Sequence, residues 1–92
     1  MNTLEGLIST PEYWMETIQN NLFRTVLEYQ TSNGLSKADL AVALNCTPRL
    51  TTQLLNGTAD CSMSKLVDIV TRMKLCPNIE FTSLDKEVKK QH

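Results

Sequence analysis

The sequence has 92 residues and a formal net charge of −1, with 41% hydrophobic and 21% charged side chains. A chain of this size holds one small domain, and its composition excludes a disordered or a fibrous protein. No apolar run approaches the ~20 residues of a membrane span, and the N-terminus lacks the basic and apolar regions of a signal peptide. We therefore expect one soluble, cytoplasmic domain over residues 1–92.

The first predicted helix begins at Thr10-Pro11, because Thr is a favoured N-cap and Pro suits the first helical position. Apolar residues then recur at the helical steps of three and four, at Met15, Ile18, Leu22, Val26 and Tyr29. The turn signal Ser32-Asn33-Gly34 should end this helix near Thr31.

Two shorter helices are predicted next. The first begins at Ser36, where Asp39 three residues later completes a capping-box arrangement. Thr47-Pro48 begins the second, which runs to Leu55 and ends at Asn56-Gly57. Asn45 suits the turn between them, since Asn tolerates positive φ.

The helix after Thr47 has two different faces. Its apolar side carries Leu50, Thr51, Leu54 and Leu55. Its polar side carries Arg49, Thr52, Gln53 and Asn56. The first set should face the core and the second should face outward.

Ser62 is the expected cap of a fourth helix, which should end at Leu75-Cys76-Pro77. Its predicted buried face carries Met63, Leu66, Ile69, Val70 and Met73. Beyond this helical core of residues 10–76, a C-terminal extension at 77–92 begins with a short extended segment at 77–81. Residues 83–91 form either a last weak helix or a free tail.

The chain has few groups suited to catalysis or metal binding. Three cysteines are present without C-x-x-C spacing, and the only histidine is the terminal His92. We expect Cys46 and Cys76 to be core residues and Cys61 to be a loop thiol. A structural zinc site needs four ligands, and a nucleophile needs an adjacent base. The sequence therefore predicts no metal, no cofactor and no enzymatic activity.

Charge and helix order together point to a nucleic-acid partner. Residues 36–76 carry five basic and three acidic side chains, and no acidic residue lies between Asp39 and Asp60. Two short capped helices joined by a tight turn are typical of the helix-turn-helix motif. On the second of these helices Arg49 can pair with guanine, Gln53 with adenine, and the Thr52 methyl with thymine.

The run LSKADLAVALNCTPRLTTQLLNG, followed by SMSKLVDIVTRMKL, resembles the Cro/cI-type (xenobiotic-response-element-type) helix-turn-helix family over about residues 18–76. The resemblance implies an all-α, lambda-repressor-like fold of four to five helices. It also implies sequence-specific binding of double-stranded DNA by a homodimer on a palindromic operator, and repression of transcription, for which the chain's own operon is the expected target.

The resemblance also assigns roles by position. Lys37, Thr47 and Asn56 would contact the DNA backbone, while Pro48, Arg49, Thr52 and Gln53 fall where the family reads bases. Two departures from the family pattern bear on these roles. Pro48 replaces a polar side chain that often reads a base, and Thr51 replaces a packed Val or Ile, so the core of the motif should be weaker.

Two alternatives remain open at this level. The chain could be an antitoxin that neutralises a partner toxin by protein–protein contact, or an interaction module that keeps the fold without binding DNA. The acidic first helix and the net charge of −1 favour the second alternative. The dimer surface is expected in residues 77–92, with the first helix as second choice.

Overall fold

The computed structural model describes residue 6 and residues 8–86, which form an all-α structure. Four helices are bounded within this part of the chain: α1 (Pro11–Ser32), α2 (Lys37–Ala43), α3 (Pro48–Asn56) and α4 (Met63–Arg72). No strand occurs among these residues. The four helices predicted from the sequence are therefore confirmed.

Every one of these helices begins at a hydroxyl side chain. The hydroxyl oxygen accepts a hydrogen bond from the backbone N–H three residues later, at Thr10, Ser36, Thr47 and Ser62. Each bond satisfies one of the amides that the first turn leaves without a helical partner. Helix starts are thus fixed by local side-chain chemistry.

The same four helices end in a Schellman motif, in which two backbone N–H groups bond back around one left-handed residue. The left-handed residues are Gly34, Asn45, Gly57 and Lys74, with φ of 61°, 53°, 72° and 65°. At the end of α3, for example, Gly57 N–H bonds to Leu54 and Thr58 N–H bonds to Gln53. The α4 ending lies at Lys74, ahead of the predicted Leu75-Cys76-Pro77 stop.

A single apolar cluster joins all four helices. Its buried members are Leu22, Val26, Leu40, Leu44, Leu54, Ala59, Ile69 and Met73. Helix α3 packs against both α1 and α2. The loop after α3 is tied to α1, because the Gln19 side-chain amide donates to the Ala59 carbonyl at 2.8 Å.

Gly57 brings the end of α3 close to α1. A Cβ at this position would lie 3.4 Å from Asn20 Oδ1 and 3.8 Å from the Phe23 Cβ, at a φ that favours glycine. The backbone turn and the close approach therefore both select glycine here.

Several residues expected in the core are exposed. Met15 and Ile18 on α1 are about half exposed, and Met63 is 67% exposed. Periodicity identifies the apolar face of a helix, but the neighbouring elements decide how much of that face is covered. These three residues lie towards the N-terminal ends of their helices. Cys76 is also exposed, so its assignment to the core is wrong.

The described part of the C-terminal extension, residues 77–86, contains no strand. Residues 75–83 have no regular secondary structure, and residues 84–86 are helical. The rest of the predicted last helix, together with His92, lies outside the described residues. Within the described part of this extension, Phe81 is 92% exposed, and Ile79 and Leu84 are also exposed.

Candidate nucleic-acid interface

The turn between α2 and α3 places the two helices against each other. It covers residues 44–47 and turns at Asn45, whose φ is 53°. The Cys46 N–H bonds back to Ala41 at 2.9 Å, and the Leu44 side chain is fully buried. The turn is thus fixed by the buried Leu44 side chain and by the hydrogen bond from the Cys46 N–H to the end of α2.

The inner face of α3 is buried. Thr51 and Leu54 are 0% and 1% exposed, and Leu50 and Leu55 are half-buried against the same cluster. The Thr51 hydroxyl donates to the carbonyl of Thr47 at 2.9 Å. The buried hydroxyl is therefore satisfied, and the position expected to weaken the motif contains no unpaired polar group.

The outer face of α3 gathers the four polar side chains predicted there. At about 100° per residue, Arg49, Thr52, Gln53 and Asn56 lie within about 100° of helix arc. Arg49 and Asn56 are exposed, whereas Thr52 and Gln53 are half-buried. The four side chains therefore form one narrow polar stripe along α3.

Two of these side chains keep their hydrogen-bonding groups available. Within the described part of the chain, no carboxylate oxygen lies within 4.0 Å of the Arg49 guanidinium, and neither Arg49 nor Gln53 has a side-chain hydrogen bond. Thr52 differs, since its hydroxyl donates to the Pro48 carbonyl at 3.0 Å. Its methyl group and its oxygen lone pairs remain for a ligand.

The remaining predicted contacts flank this face. Thr47 accepts from the Leu50 N–H at 3.1 Å, which leaves its hydroxyl proton available to an acceptor such as phosphate. Pro48 is exposed at the first position of α3. Lys37 is exposed at the first position of α2, apart from the other six residues, which all lie on α3 or its N-cap.

A cluster of three charged side chains, Lys65, Asp68 and Arg72, lies on α4. Asp68 receives a hydrogen bond from Arg72 Nε at 3.0 Å and lies 3.7 Å from Lys65 Nζ. The Arg72 hydrogen bond, supported by both positive charges, holds the pKa of Asp68 below its ordinary value of 3.8. Lys65 also donates to the Asn45 carbonyl, in the turn before α3.

Sequence reasoning did not single out Lys65. The spacing of Lys65, Asp68 and Arg72 by three and four residues could have revealed the ion pairs on α4. The bond to Asn45 spans 20 residues and carries no local signal.

Cys46 lies in the turn itself. Its thiol donates to the Leu44 carbonyl at 3.4 Å, and it packs half-buried against the core. Burial raises the pKa of the Cys46 thiol, which keeps it in the protonated form at neutral pH. None of the three cysteines forms a disulfide.

A comparison with protein-family models, with curated proteins and with solved structures found no match. In the described residues, no helix has both the length and the apolar character needed to cross a bilayer. The same residues contain no group of three or more His, Cys, Asp or Glu side chains placed to hold a metal ion.

Proposed function

We propose that this chain is a cytoplasmic transcriptional regulator that binds duplex DNA sequence-specifically through the outer face of α3. In this proposal α2 and α3 act as the two helices of a lambda-repressor-like helix-turn-helix unit. Arg49 and Gln53 discriminate bases, and Thr52 assists through its methyl group. Lys37, Thr47 and Asn56 position the DNA backbone, and Pro48 lies beside the base edges.

One observation supports the proposal above the others. Arg49 is exposed and free of carboxylate partners among the described residues, on the same face as an unbonded Gln53. A solvated helix face normally mixes charges of both signs. The outer face of α3 has no acidic side chain, which suits a phosphate-bearing ligand because a carboxylate would repel it. The opposite face of α3 is anchored in the core by Thr51 and Leu54, so the polar side chains are carried on a fixed helix.

Selection of binding sites from a random duplex library, followed by titration of the selected duplex, tests the proposal. Arg49→Ala should weaken binding to the selected duplex by about tenfold to a hundredfold, because a good bidentate pair to guanine is worth ~1–3 kcal/mol. Binding to random duplex should weaken much less.

Arg24→Ala is the matched control. Arg24 is an exposed cation on the side of α1 opposite the buried Leu22 and Val26, so this variant removes the same charge away from the core face of α1. It should bind the selected duplex like the wild type. An equal loss with Arg49→Ala on selected and random DNA would contradict base reading, and failure of any selected sequence to emerge would contradict the function.

The proposal includes a homodimer that represses its own operon, with the C-terminal extension as the contact surface. Ile79 and Phe81 are exposed apolar side chains there, and such side chains are typical of contact surfaces. Phe81→Glu should convert the dimer to a monomer in multi-angle light scattering without loss of helicity. A dimer that survives this change would place the interface on α1.

The same exposed segment favours the antitoxin alternative, since it would equally suit a second protein. Coexpression with the products of neighbouring genes separates the two. A stable complex that depends on Phe81, together with no selected DNA sequence, would favour the antitoxin.

A further inference from the structure

The turn before α3 is reached by a cation from another helix. Lys65 Nζ donates to the carbonyl oxygen of Asn45, and the Lys65 side chain is 28% exposed. Asn45 is the left-handed residue at which the chain leaves α2, two residues before the Thr47 cap of α3. Lys65 thus contacts the backbone at the point where the direction of α3 is set.

Electrostatics favour a cation at this place. The Asn45 carbonyl comes directly after the C-cap of α2, next to the last helical carbonyl groups, which carry a partial negative charge, and α2 has no basic residue in its own last turn. Lys65 supplies a positive charge at this point from α4. Its bond to a carbonyl is charge-assisted, which makes it stronger than a bond between neutral groups.

Lys65 also has two partners near the start of α4, one for its backbone and one for its ammonium group. Its backbone N–H bonds to the Ser62 hydroxyl at 3.2 Å, which fixes the first turn of α4. Its ammonium group lies 3.7 Å from Asp68, which Arg72 holds by a hydrogen bond of 3.0 Å. The ammonium is therefore directed by Asp68 as well as by Asn45.

We propose that Lys65 is a positioning residue that fixes the α2–α3 turn, and with it the orientation of the outer face of α3, without contacting DNA. This inference rests on the proposed function for its DNA-binding consequence. Its structural part, the fixing of the turn, concerns the free protein.

Amide hydrogen exchange in the free protein tests the structural part. The N–H groups of Asn45 and Cys46 bond back to Val42 and Ala41, so their exchange reports opening of the turn. Lys65→Met should speed exchange at these two amides by about tenfold, the effect of one charge-assisted bond, and leave the Val26 amide in α1 unchanged. Lys65→Arg should restore most of the protection, because it keeps a cationic donor.

Lys74→Met is the matched control, since Lys74 is an exposed lysine at the end of the same helix whose side chain has no hydrogen bond or ion pair among the described residues. It should leave exchange at Asn45 and Cys46 as in the wild type. Unchanged exchange in Lys65→Met would overturn the proposal, as would an equal acceleration at Val26, which would indicate general destabilisation.

Titration with the selected and the random duplex at several salt concentrations tests the DNA-binding part. Lys65→Met should weaken binding to the selected duplex by about tenfold and leave random binding and the salt dependence as in the wild type. Equal weakening on both duplexes, with a salt slope reduced by about one, would make Lys65 a phosphate contact and overturn the positioning role. If the wild type selects no sequence, the proposed function fails, while the exchange data still decide whether Lys65 holds the turn.

Discussion

The hydroxyl of Thr51 donates to the carbonyl oxygen of Thr47 across one turn of α3, at 2.9 Å, with Thr51 fully buried. The Thr47 carbonyl also accepts the backbone N–H of Thr51 at 2.9 Å. Removal of the hydroxyl would therefore leave this carbonyl with a partner. The only group lost would be a buried polar atom whose own hydrogen bond contributes little net free energy.

Thr51→Val should raise the free energy of unfolding by about 0.5–1 kcal/mol, because a buried methyl replaces a buried hydroxyl. Thr51→Ser should lower it by about 1 kcal/mol, because the methyl is lost and a small cavity remains. Urea denaturation followed by circular dichroism measures both. A Val variant less stable than the wild type would show that the hydroxyl is needed for more than its own bond.

Among the four helix endings that the structure describes, only Lys74 occupies the left-handed position without being glycine or asparagine. Its φ of 65° is unfavourable for a side chain with a Cβ. Lys74→Gly should raise the free energy of unfolding by about 0.5–1 kcal/mol, the relief of the left-handed conformation less the added freedom of the unfolded chain.

Lys74→Ala serves as the control for that variant. Alanine removes the same charge but keeps the Cβ, so no gain in stability is expected. Equal gains from both substitutions, measured by urea denaturation, would attribute the effect to the lost charge.

Because of Asp68, the free energy of unfolding should depend on pH in the acidic range. Since its pKa is lowered in the folded protein, mainly by the Arg72 hydrogen bond, the carboxylate contributes stability above its ordinary pKa and loses that contribution as the pH falls through the folded value. Asp68→Asn should therefore be less stable than the wild type at about pH 6, and the difference should shrink as the pH falls below the ordinary pKa of 3.8 and through the lower folded value.

Urea denaturation of the wild type and of Asp68→Asn at several pH values measures this convergence. Asp60→Asn is the matched control, because Asp60 is exposed and has no ion pair among the described residues. A gap between wild type and Asp68→Asn that stayed constant with pH would contradict the role of the ionised carboxylate.

The sequence was sufficient to predict the starts of all four helices and the ends of α1 and α3, because the groups that fix them are neighbours in the chain. Thr47 with Pro48 and the Asn56-Gly57 pair act within one turn of α3. The faces of α3 could also be predicted, since Thr51 and Leu54 recur at the helical period. Both predictions rest on short-range chemistry.

What could not be predicted depends on distant parts of the chain. Met63 and Cys76 are apolar positions that no neighbouring element covers, and local pattern does not reveal how far a neighbour extends. The bond from Lys65 to Asn45 joins residues 20 positions apart. The left-handed ending at Lys74 was equally hidden, because lysine is not a residue that signals this conformation.

The capping of α3 has a consequence for how this protein can change. Its start is held by Thr47, its end by Gly57, and its attachment to the core by Thr51 and Leu54, so none of these tasks falls on Arg49, Gln53 or Asn56. Substitutions among the latter three should leave folding intact, so under the proposed function the DNA sequence that the chain recognises can diverge one side chain at a time while its architecture stays the same.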